Sequence, residues 1–176
     1  TLAEITERRW WPEGVSFVDG AIEAGRLALA EAGIGPEQVG LLINTSVCRE
    51  NLEPSVAVRI HHELGMPTGC LNFDLTNACL GFVNGMQLAA TMIDAGQIDY
   101  ALIVAGEDSQ RVQEATFGRL NREDSTRQAY LREFATLTLG SGAAAAVTGR
   151  AGDHPRSPRL LGRRPRAGPD HPDPCA

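Results

Sequence analysis

A cysteine stands where a predicted buried strand gives way to a long helix rich in small residues. Cys79 follows the strand-like run CLNFDLTN (70–77) and opens a helical run that closes at Gly96. At a helix start, unpaired backbone N–H groups and the helix dipole stabilise a thiolate and lower the pKa of the thiol. Cysteine is also a common packing residue in buried helices. The local sequence therefore allows a nucleophile at Cys79 without requiring one.

Glu53 is the second residue whose type and place suit chemistry. It stands next to Pro54 at the start of a predicted helix, 26 residues before Cys79. A carboxylate in that position stabilises the positive end of the helix dipole. The local sequence leaves open whether Glu53 has only this role.

Two further patterns are weaker. Gly140, Ser141 and Gly142, with Ala145, superficially fit a dinucleotide-binding fingerprint, but no convincing helix follows them and no acidic residue stands in a strand ~20 positions on. We therefore interpret them as a glycine-rich turn that enters a buried strand. His61 and His62 are adjacent in a predicted helix, where neighbouring side chains point about 100° apart, so at least one should be exposed.

The elements that must position these residues alternate along the chain. The pattern predicts helices over 18–32, 53–67 and 79–95, with Pro54 in the first turn of the second, and strands over 39–47, 70–77 and 98–108. The order β-α-β-α-β indicates an α/β fold with a mainly parallel sheet. Because the third helix is apolar or small on nearly every side, we expect it to lie deep between layers. Gly81 and Gly85 would let another backbone approach it closely.

The remainder of the chain divides into three parts. Residues 109–135 are largely polar, too long for an ordinary connection, and typical of a lid, a binding loop or a partner surface. Residues 136–149 predict a strand punctuated by glycine. The segment 150–176 is rich in Arg and Pro and has no apolar period, so we expect a poorly ordered, solvated tail after a domain over 1–149.

Composition excludes several classes of function. All sixteen basic residues are Arg, which excludes a lysine Schiff base and a P-loop lysine. Residues 1–149 hold ten Arg against nineteen acidic residues, an acidic balance that argues against nucleic acid as a partner. The four cysteines, at positions 48, 70, 79 and 175, show no CxxC spacing, so we expect reduced thiols and no metal site. No run approaches the ~18 apolar residues of a membrane span, and we expect a cytoplasmic protein.

Five segments together resemble the N-terminal half of the thiolase superfamily, in its ketoacyl synthase III branch. They are TERRWW, LLINTSVCRENLEPSVAVRIHHELGM, FDLTNACLGFVNGM, YALIVAGED and LGSGAAAAVTG, in order over roughly residues 5–149. Within that branch, NLEPS followed by TNACLGFVNGM is most similar to the OleA group, which joins two fatty acyl chains head to head. The resemblance implies a thiolase-like layered fold and a homodimer.

The resemblance implies roles for both candidate residues. Cys79 would take an acyl group from a coenzyme A thioester, with its own N–H helping to form an oxyanion hole. Glu53 would reach across the dimer into the partner's site as the base for the second chain. The substrate would be an acyl-CoA or an acyl carrier protein, and no bound cofactor is expected.

Other functions stay open at this point. The family's catalytic histidine and asparagine come from the second half, and none of the four histidines has a matching context. We therefore expect the chain to be incomplete as a catalyst. The alternatives are a synthase that decarboxylates malonyl groups, and a non-catalytic half-domain that binds a full-length partner.

Overall fold

The computed structural model of the protein describes residues 5–122 and 126–150. Within these ranges, helices and strands alternate as far as the third strand, and two helices then precede the last strand. The helices are α1 (Phe17–Ala32), α2 (Val56–Glu63), α3 (Gly81–Asp94), α4 (Gln110–Leu120) and α5 (Arg127–Leu137). The strands are β1 (Val39–Asn44), β2 (Leu71–Asp74), β3 (Tyr100–Glu107) and β4 (Gly142–Gly149).

The four strands form one sheet in the order β2-β1-β3-β4. Strands β2, β1 and β3 are parallel, with Leu42 opposite Asn72 on one side and Leu102 on the other. Strand β4 runs antiparallel to β3, and its first residue, Gly142, pairs with Glu107 at the end of β3. One edge of the sheet therefore collects the carboxyl ends of three strands and the start of the fourth. The predicted α/β fold with a mainly parallel sheet is confirmed.

Helices cover the sheet on both faces. Strand β1 alternates between them: Leu42 is fully buried under α1 and α2, whereas Leu41 and Ile43 are fully buried under α3. This is the pattern of a parallel strand covered on both sides, and it explains why residues 39–43 carry no polar side chain. The sheet is thus the middle of three layers. Helices α2 and α3 lie on opposite faces of it, and both begin near the edge where the parallel strands end.

Helix α1 begins and ends at local signals. The Ser16 hydroxyl accepts from the Asp19 N–H, and the Asp19 carboxylate accepts from the Ser16 N–H, which forms a capping box. The backbone bond from Ser16 lowers the pKa of the Asp19 carboxyl. Gly33 closes the helix in the left-handed region, with φ of 66°. The prediction of 18–32 is confirmed to within one residue.

Helix α2 starts later than predicted. Pro54 does not occupy its first turn, because the helix begins at Val56. The N–H groups of Val56 and Ala57 donate to the carboxylate of Asp74, at 3.0 Å each. An acceptor from the neighbouring strand therefore sets the start of this helix, and local sequence does not reveal it.

Helix α3 is buried on one face only. Gly81 and Gly85 face the sheet, and a Cβ atom on Gly81 would lie 3.1 Å from the Thr45 carbonyl oxygen. The close approach predicted from these glycines is confirmed. Leu80, just before the helix, and Val83 and Met86 within it are exposed. The prediction that α3 lies deep between layers is wrong for the described residues, because the sheet covers one side and no other described segment covers the opposite one.

The polar insertion folds as two helices. Its buried centre is Gln113 on α4, whose side-chain oxygen accepts from Trp10 Nε1 at 2.7 Å. The Gln113 amide nitrogen donates to the carbonyl oxygens of Thr136 and Leu139. One buried amide thus ties the N-terminal segment, α4 and the end of α5 together, which a count of polar residues does not predict.

The last strand differs from its prediction in length and burial. Residues 136 and 137 belong to α5, and β4 occupies only Gly142–Gly149. It is an edge strand whose first three residues are exposed, so the expectation of a buried strand is wrong. Beyond it, Arg150 donates to the Ile93 carbonyl oxygen. The predicted tail, with Cys175, His154 and His171, lies outside the described residues apart from Arg150.

Candidate active site

Cys79 lies in a short 3-10 turn, Ala78–Leu80, that leads from β2 into α3. The predicted position at the start of this helix is therefore confirmed. Ala78 adopts a φ of 42°, a left-handed conformation that a residue with a Cβ rarely takes. The turn closes with a bond from the Leu80 N–H to the Asn77 carbonyl oxygen. Cys79 is exposed at this turn.

The Cys79 turn forms part of the wall of a cavity of about 360 Å³. Four segments supply the wall: the segment after β1, the Cys79 turn, the end of β3 with the start of α4, and the loop before β4. The lining residues are Val47, Cys48, Ala78, Cys79, Glu107, Asp108, Ser109, Val112, Leu139 and Gly140. Most of the exposed lining is apolar. The site thus combines an exposed thiol with an apolar cavity at the edge where three strands end.

A second thiol, that of Cys48, lines the same cavity in a different local environment. The Cys48 thiol donates to the Asp108 carbonyl oxygen at 3.4 Å and accepts from the Asp108 N–H at 3.3 Å. Burial raises the pKa of this thiol to about 11, and the neighbouring Glu107 carboxylate adds to the increase. Burial likewise raises the pKa of Cys70 to about 11. These two thiols are held protonated at neutral pH and are poor nucleophiles.

Glu53 is exposed and does not line the cavity that contains Cys79. It belongs to the exposed stretch 51–54, between the end of β1 and the start of α2. The structure therefore does not bring the two predicted site residues together within one chain.

Two carboxylates at strand ends were not predicted as site residues, and one of them, Glu107, lines the cavity. Glu107 ends β3 and Asp74 ends β2, and both bond to the segment that follows β1. One feature of the sequence could have indicated them, since each is the acidic residue that ends an apolar strand. An acidic residue there is common enough that sequence alone gave no reason to select it.

The glycine-rich turn borders the cavity through Gly140. The Ser141 hydroxyl donates to the Asp108 carboxylate at 3.0 Å and accepts from the Ser109 N–H at 3.1 Å. A strand follows it directly, as the interpretation as a turn before a strand requires. The residues therefore fix the loop that forms one wall of the cavity.

Comparison with known proteins identifies the family. The family model of 3-oxoacyl-[acyl-carrier-protein] synthase III matches residues 73–161, a span that contains Cys79 and most of the cavity lining. The chain belongs to the 3-oxoacyl-[acyl-carrier-protein] synthase III family. The resemblance drawn from the five sequence segments is confirmed.

Two acyl-CoA:acyl-CoA alkyltransferases are among the relatives of this synthase III family member. The protein from Xanthomonas campestris is 48% identical over 161 residues, which are 92% of this chain and 48% of that one. The protein from Shewanella oneidensis is 38% identical, over 99% of this chain and 50% of that one. A beta-ketoacyl-[acyl-carrier-protein] synthase III from Sodalis glossinidius is 35% identical, over 87% and 43%. The chain spans about half the length of the curated relatives it matches.

Solved structures of OleA from Xanthomonas campestris share the fold. The cerulenin-bound form matches with a TM-score of 0.83 at 48% identity, over 90% of this chain and 48% of that one. A cysteine-to-serine variant with bound lauric acid and lauroyl-CoA matches with a TM-score of 0.83 at 47% identity, over 90% and 47%. The thiolase-like fold class predicted for this synthase III family member is therefore confirmed.

Other features of this family member lie away from the cavity. His62 is exposed on α2, as predicted for at least one of the pair, and His61 Nε2 lies 3.1 Å from the Pro67 carbonyl oxygen. Among the described residues, no group of three or more His, Cys, Asp and Glu side chains could hold a metal ion. No helix in residues 5–122 or 126–150 is both long enough and apolar enough to span a membrane.

Proposed function

We propose that this chain carries the acyl-accepting part of a condensing enzyme that joins two fatty acyl-CoA molecules head to head. The observation that carries the proposal is the exposed Cys79 thiol, which lies in the turn before α3 and lines a largely apolar cavity. A thiol accepts an acyl group, and an apolar cavity favours the hydrocarbon chain attached to it.

The first half-reaction exchanges one thioester for another. The Cys79 thiolate attacks the carbonyl carbon of the acyl-CoA, the bond from that carbon to the coenzyme A sulfur breaks, and coenzyme A leaves as a thiol after taking up a proton. The exchange costs little free energy and leaves the acyl carbon activated for the second chain. The Cys79 N–H, at the turn before α3, is our candidate donor to the oxyanion of the tetrahedral intermediate.

Glu53 is our candidate base for the second half-reaction, the removal of a proton α to a thioester carbonyl. Solved variants of the Xanthomonas OleA change a glutamate, and another variant changes a cysteine 26 positions after it. Glu53 and Cys79 have the same spacing. Because Glu53 is exposed outside its own chain's cavity, we propose that it acts at the cavity of a second copy in a homodimer.

The OleA variants also include a substituted histidine, 142 positions after that cysteine. The matching position lies outside the 176 residues of this sequence. Acyl transfer to Cys79 is accordingly the step for which the described residues supply the nucleophile.

Acyl transfer is tested by intact-mass measurement after incubation with lauroyl-CoA. We expect one added lauroyl group, its loss in Cys79→Ala and its retention in Cys48→Ala, because the Cys48 thiol is held protonated. We also expect retention in Glu53→Gln, since Glu53 lies outside the cavity. Failure of the unmodified chain to gain the group would contradict the proposal and would favour a non-catalytic half-domain.

A decarboxylating synthase is the second candidate, favoured by the match to the synthase III family model and by the Sodalis relative. That reading places an acyl group on Cys79 as well, so acylation does not separate the two. It requires a malonyl-charged carrier protein for carbon–carbon bond formation and needs no base at Glu53. Product formation from acyl-CoA alone, lost in Glu53→Gln, would identify the head-to-head reaction in an assembly that completes the site.

A further inference from the structure

The segment after β1 serves the candidate site twice. Val47 and Cys48, near the start of this segment, line the cavity that contains Cys79, and the exposed stretch 51–54 of the same segment carries Glu53. Strand β1 lies between β2 and β3 in the sheet, so this segment leaves the sheet between the ends of two neighbouring strands. Each of those strands ends in a carboxylate.

Glu107, the last residue of β3, holds the near end of the segment. One carboxylate oxygen accepts from the Val47 N–H at 2.6 Å and the other accepts from the Cys48 N–H at 3.1 Å. Both oxygens are therefore directed at backbone donors, and hydrogen bonds to a charged group are stronger than neutral ones. A carboxylate so occupied is poorly suited to act as a general base, although it borders the cavity.

Asp74, the last residue of β2, holds the far end. Its carboxylate accepts from the N–H groups of Val56 and Ala57 at 3.0 Å each and from Asn44 Nδ2 at 2.8 Å. Arg49 lies between the two ends of the segment, and its Nε is 3.4 Å from the same carboxylate. The Asp74 side chain is 12% exposed, so solvent screens this ion pair less than one at the surface.

Arg49 also connects the segment to the Cys79 turn. Its guanidinium donates to the Ser46 carbonyl oxygen at 2.5 Å and to the hydroxyl of Thr76, three residues before Cys79. The Thr76 hydroxyl in turn donates to the Ser46 carbonyl oxygen at 3.3 Å. The hydrogen bonds that hold the segment therefore extend to the residues between the end of β2 and Cys79.

We propose that Asp74 and Glu107 are positioning residues that clamp the segment after β1. The clamp fixes the Val47–Cys48 wall of the cavity and the position from which the exposed stretch 51–54 presents Glu53. The role assigned to Glu53 rests on the proposed function, whereas the clamp itself does not. Neither carboxylate takes part in the covalent steps of the reaction. Each acts through the backbone that it holds.

Cysteine labelling tests the clamp without reference to catalysis. In a Cys175→Ser background, Glu107→Ala removes both acceptors from the near end, and we expect iodoacetamide to label Cys48 about tenfold faster, the scale on which losing charged hydrogen bonds favours local opening. The Glu107 carboxylate also raises the pKa of Cys48, and both variants lose that effect. Glu107→Gln keeps one acceptor oxygen and should therefore give a smaller increase than Glu107→Ala, and the difference between the two variants reports the lost acceptors. Cys70 is buried but stands outside the segment, so its labelling rate should not change.

The matched control is Glu23→Ala, which removes an exposed carboxylate paired with Arg26 on α1. It should leave the labelling of Cys48 and Cys70 unchanged. Equal acceleration at Cys48 and Cys70 in Glu107→Ala would mean that Glu107 only stabilises the whole fold, and an acceleration at Cys48 that is no larger in Glu107→Ala than in Glu107→Gln would mean that it holds nothing. Either result overturns the clamp.

The far end is tested by hydrogen exchange and acyl transfer. In Asp74→Asn we expect faster amide exchange in residues 49–57 but unchanged exchange in β3, and a lauroyl transfer rate reduced several-fold while iodoacetamide labels Cys79 at the unmodified rate. Uniformly faster exchange across the sheet, or unchanged exchange in 49–57, would overturn the clamp. If the unmodified chain accepts no lauroyl group, the proposed function fails, and exchange and Cys48 labelling still decide the clamp.

Discussion

Cys48 and Cys79 line one cavity, yet the Cys48 thiol exchanges two hydrogen bonds with the Asp108 backbone while Cys79 is exposed to solvent. The fold thus distinguishes two chemically identical groups at the same site. Burial, together with the Glu107 carboxylate, raises the pKa of Cys48 and keeps that thiol protonated, whereas Cys79 is accessible to solvent.

This difference predicts selective alkylation. With a pKa of about 11, only about one Cys48 or Cys70 thiol in ten thousand is ionised at pH 7. In a Cys175→Ser background, we expect iodoacetamide to label Cys79 well before the other two, as followed by peptide mass spectrometry. Comparable labelling rates at all three positions in the folded protein would contradict this expectation.

The same two buried thiols predict a loss of stability in alkali. In the unfolded chain a thiol loses its proton near pH 9.0, whereas the folded chain holds it until about 11. The free energy of unfolding contributed by Cys48 and Cys70 is therefore fully present below pH 9 and falls as the pH rises towards 11. Urea titrations at about pH 8 and about pH 10.5 measure the loss, which should be smaller in a Cys48→Ala/Cys70→Ala double variant. An identical loss in both proteins would show that the fall comes from other groups.

The left-handed conformation of Ala78 predicts a substitution that stabilises the fold. Glycine adopts a φ of 42° without steric cost, so Ala78→Gly should raise the free energy of unfolding by about 1 kcal/mol. The matched control is Ala90→Gly on the exposed side of α3, where glycine should cost about 1 kcal/mol. Chemical denaturation compares the two, and a loss of stability in both variants would mean that Ala78 is not strained.

Packing of α1 on the sheet predicts a second pair of opposite effects. A Cβ atom on Gly106 in β3 would overlap the Phe17 carbonyl oxygen and lie 3.1 Å from the Ala21 Cβ atom. Gly106→Ala should therefore cost about 2 kcal/mol, the scale of overpacking a core. Gly118 lies in α4 with open space around it, so Gly118→Ala should gain about 1 kcal/mol. Thermal unfolding of both variants tests the pair, and a neutral Gly106→Ala would show that α1 can move away from β3.

The parts of the fold that the sequence predicted are those set by short-range pattern. The apolar run of β1 reports burial on both faces. The extent of α1 follows from its apolar period and from Gly33, which closes it. The Cys79 position could be predicted because strand, turn and helix follow one another directly. The family resemblance then gave the thiol a role that its local context left open.

The rest depends on contacts between distant residues. The start of α2 is set by Asp74, which is 18 residues away in the chain from Val56. The two helices of the 109–135 insertion meet around Gln113, whose partners lie at Trp10 and beyond α4. The exposed face of α3 could not be predicted, because an apolar sequence records that a face can be covered and not whether it is. The carboxylates of the clamp are found only when the strand ends are placed side by side.

The antiparallel direction of β4 has a practical consequence for attachment. The strand starts beside Glu107, at the edge that holds the cavity, and runs away from it for eight residues, a distance of about 24 Å. Arg150 consequently follows at the opposite edge, bonded to the end of α3. A surface tether or fluorophore attached at that position would leave the approach to Cys79 clear.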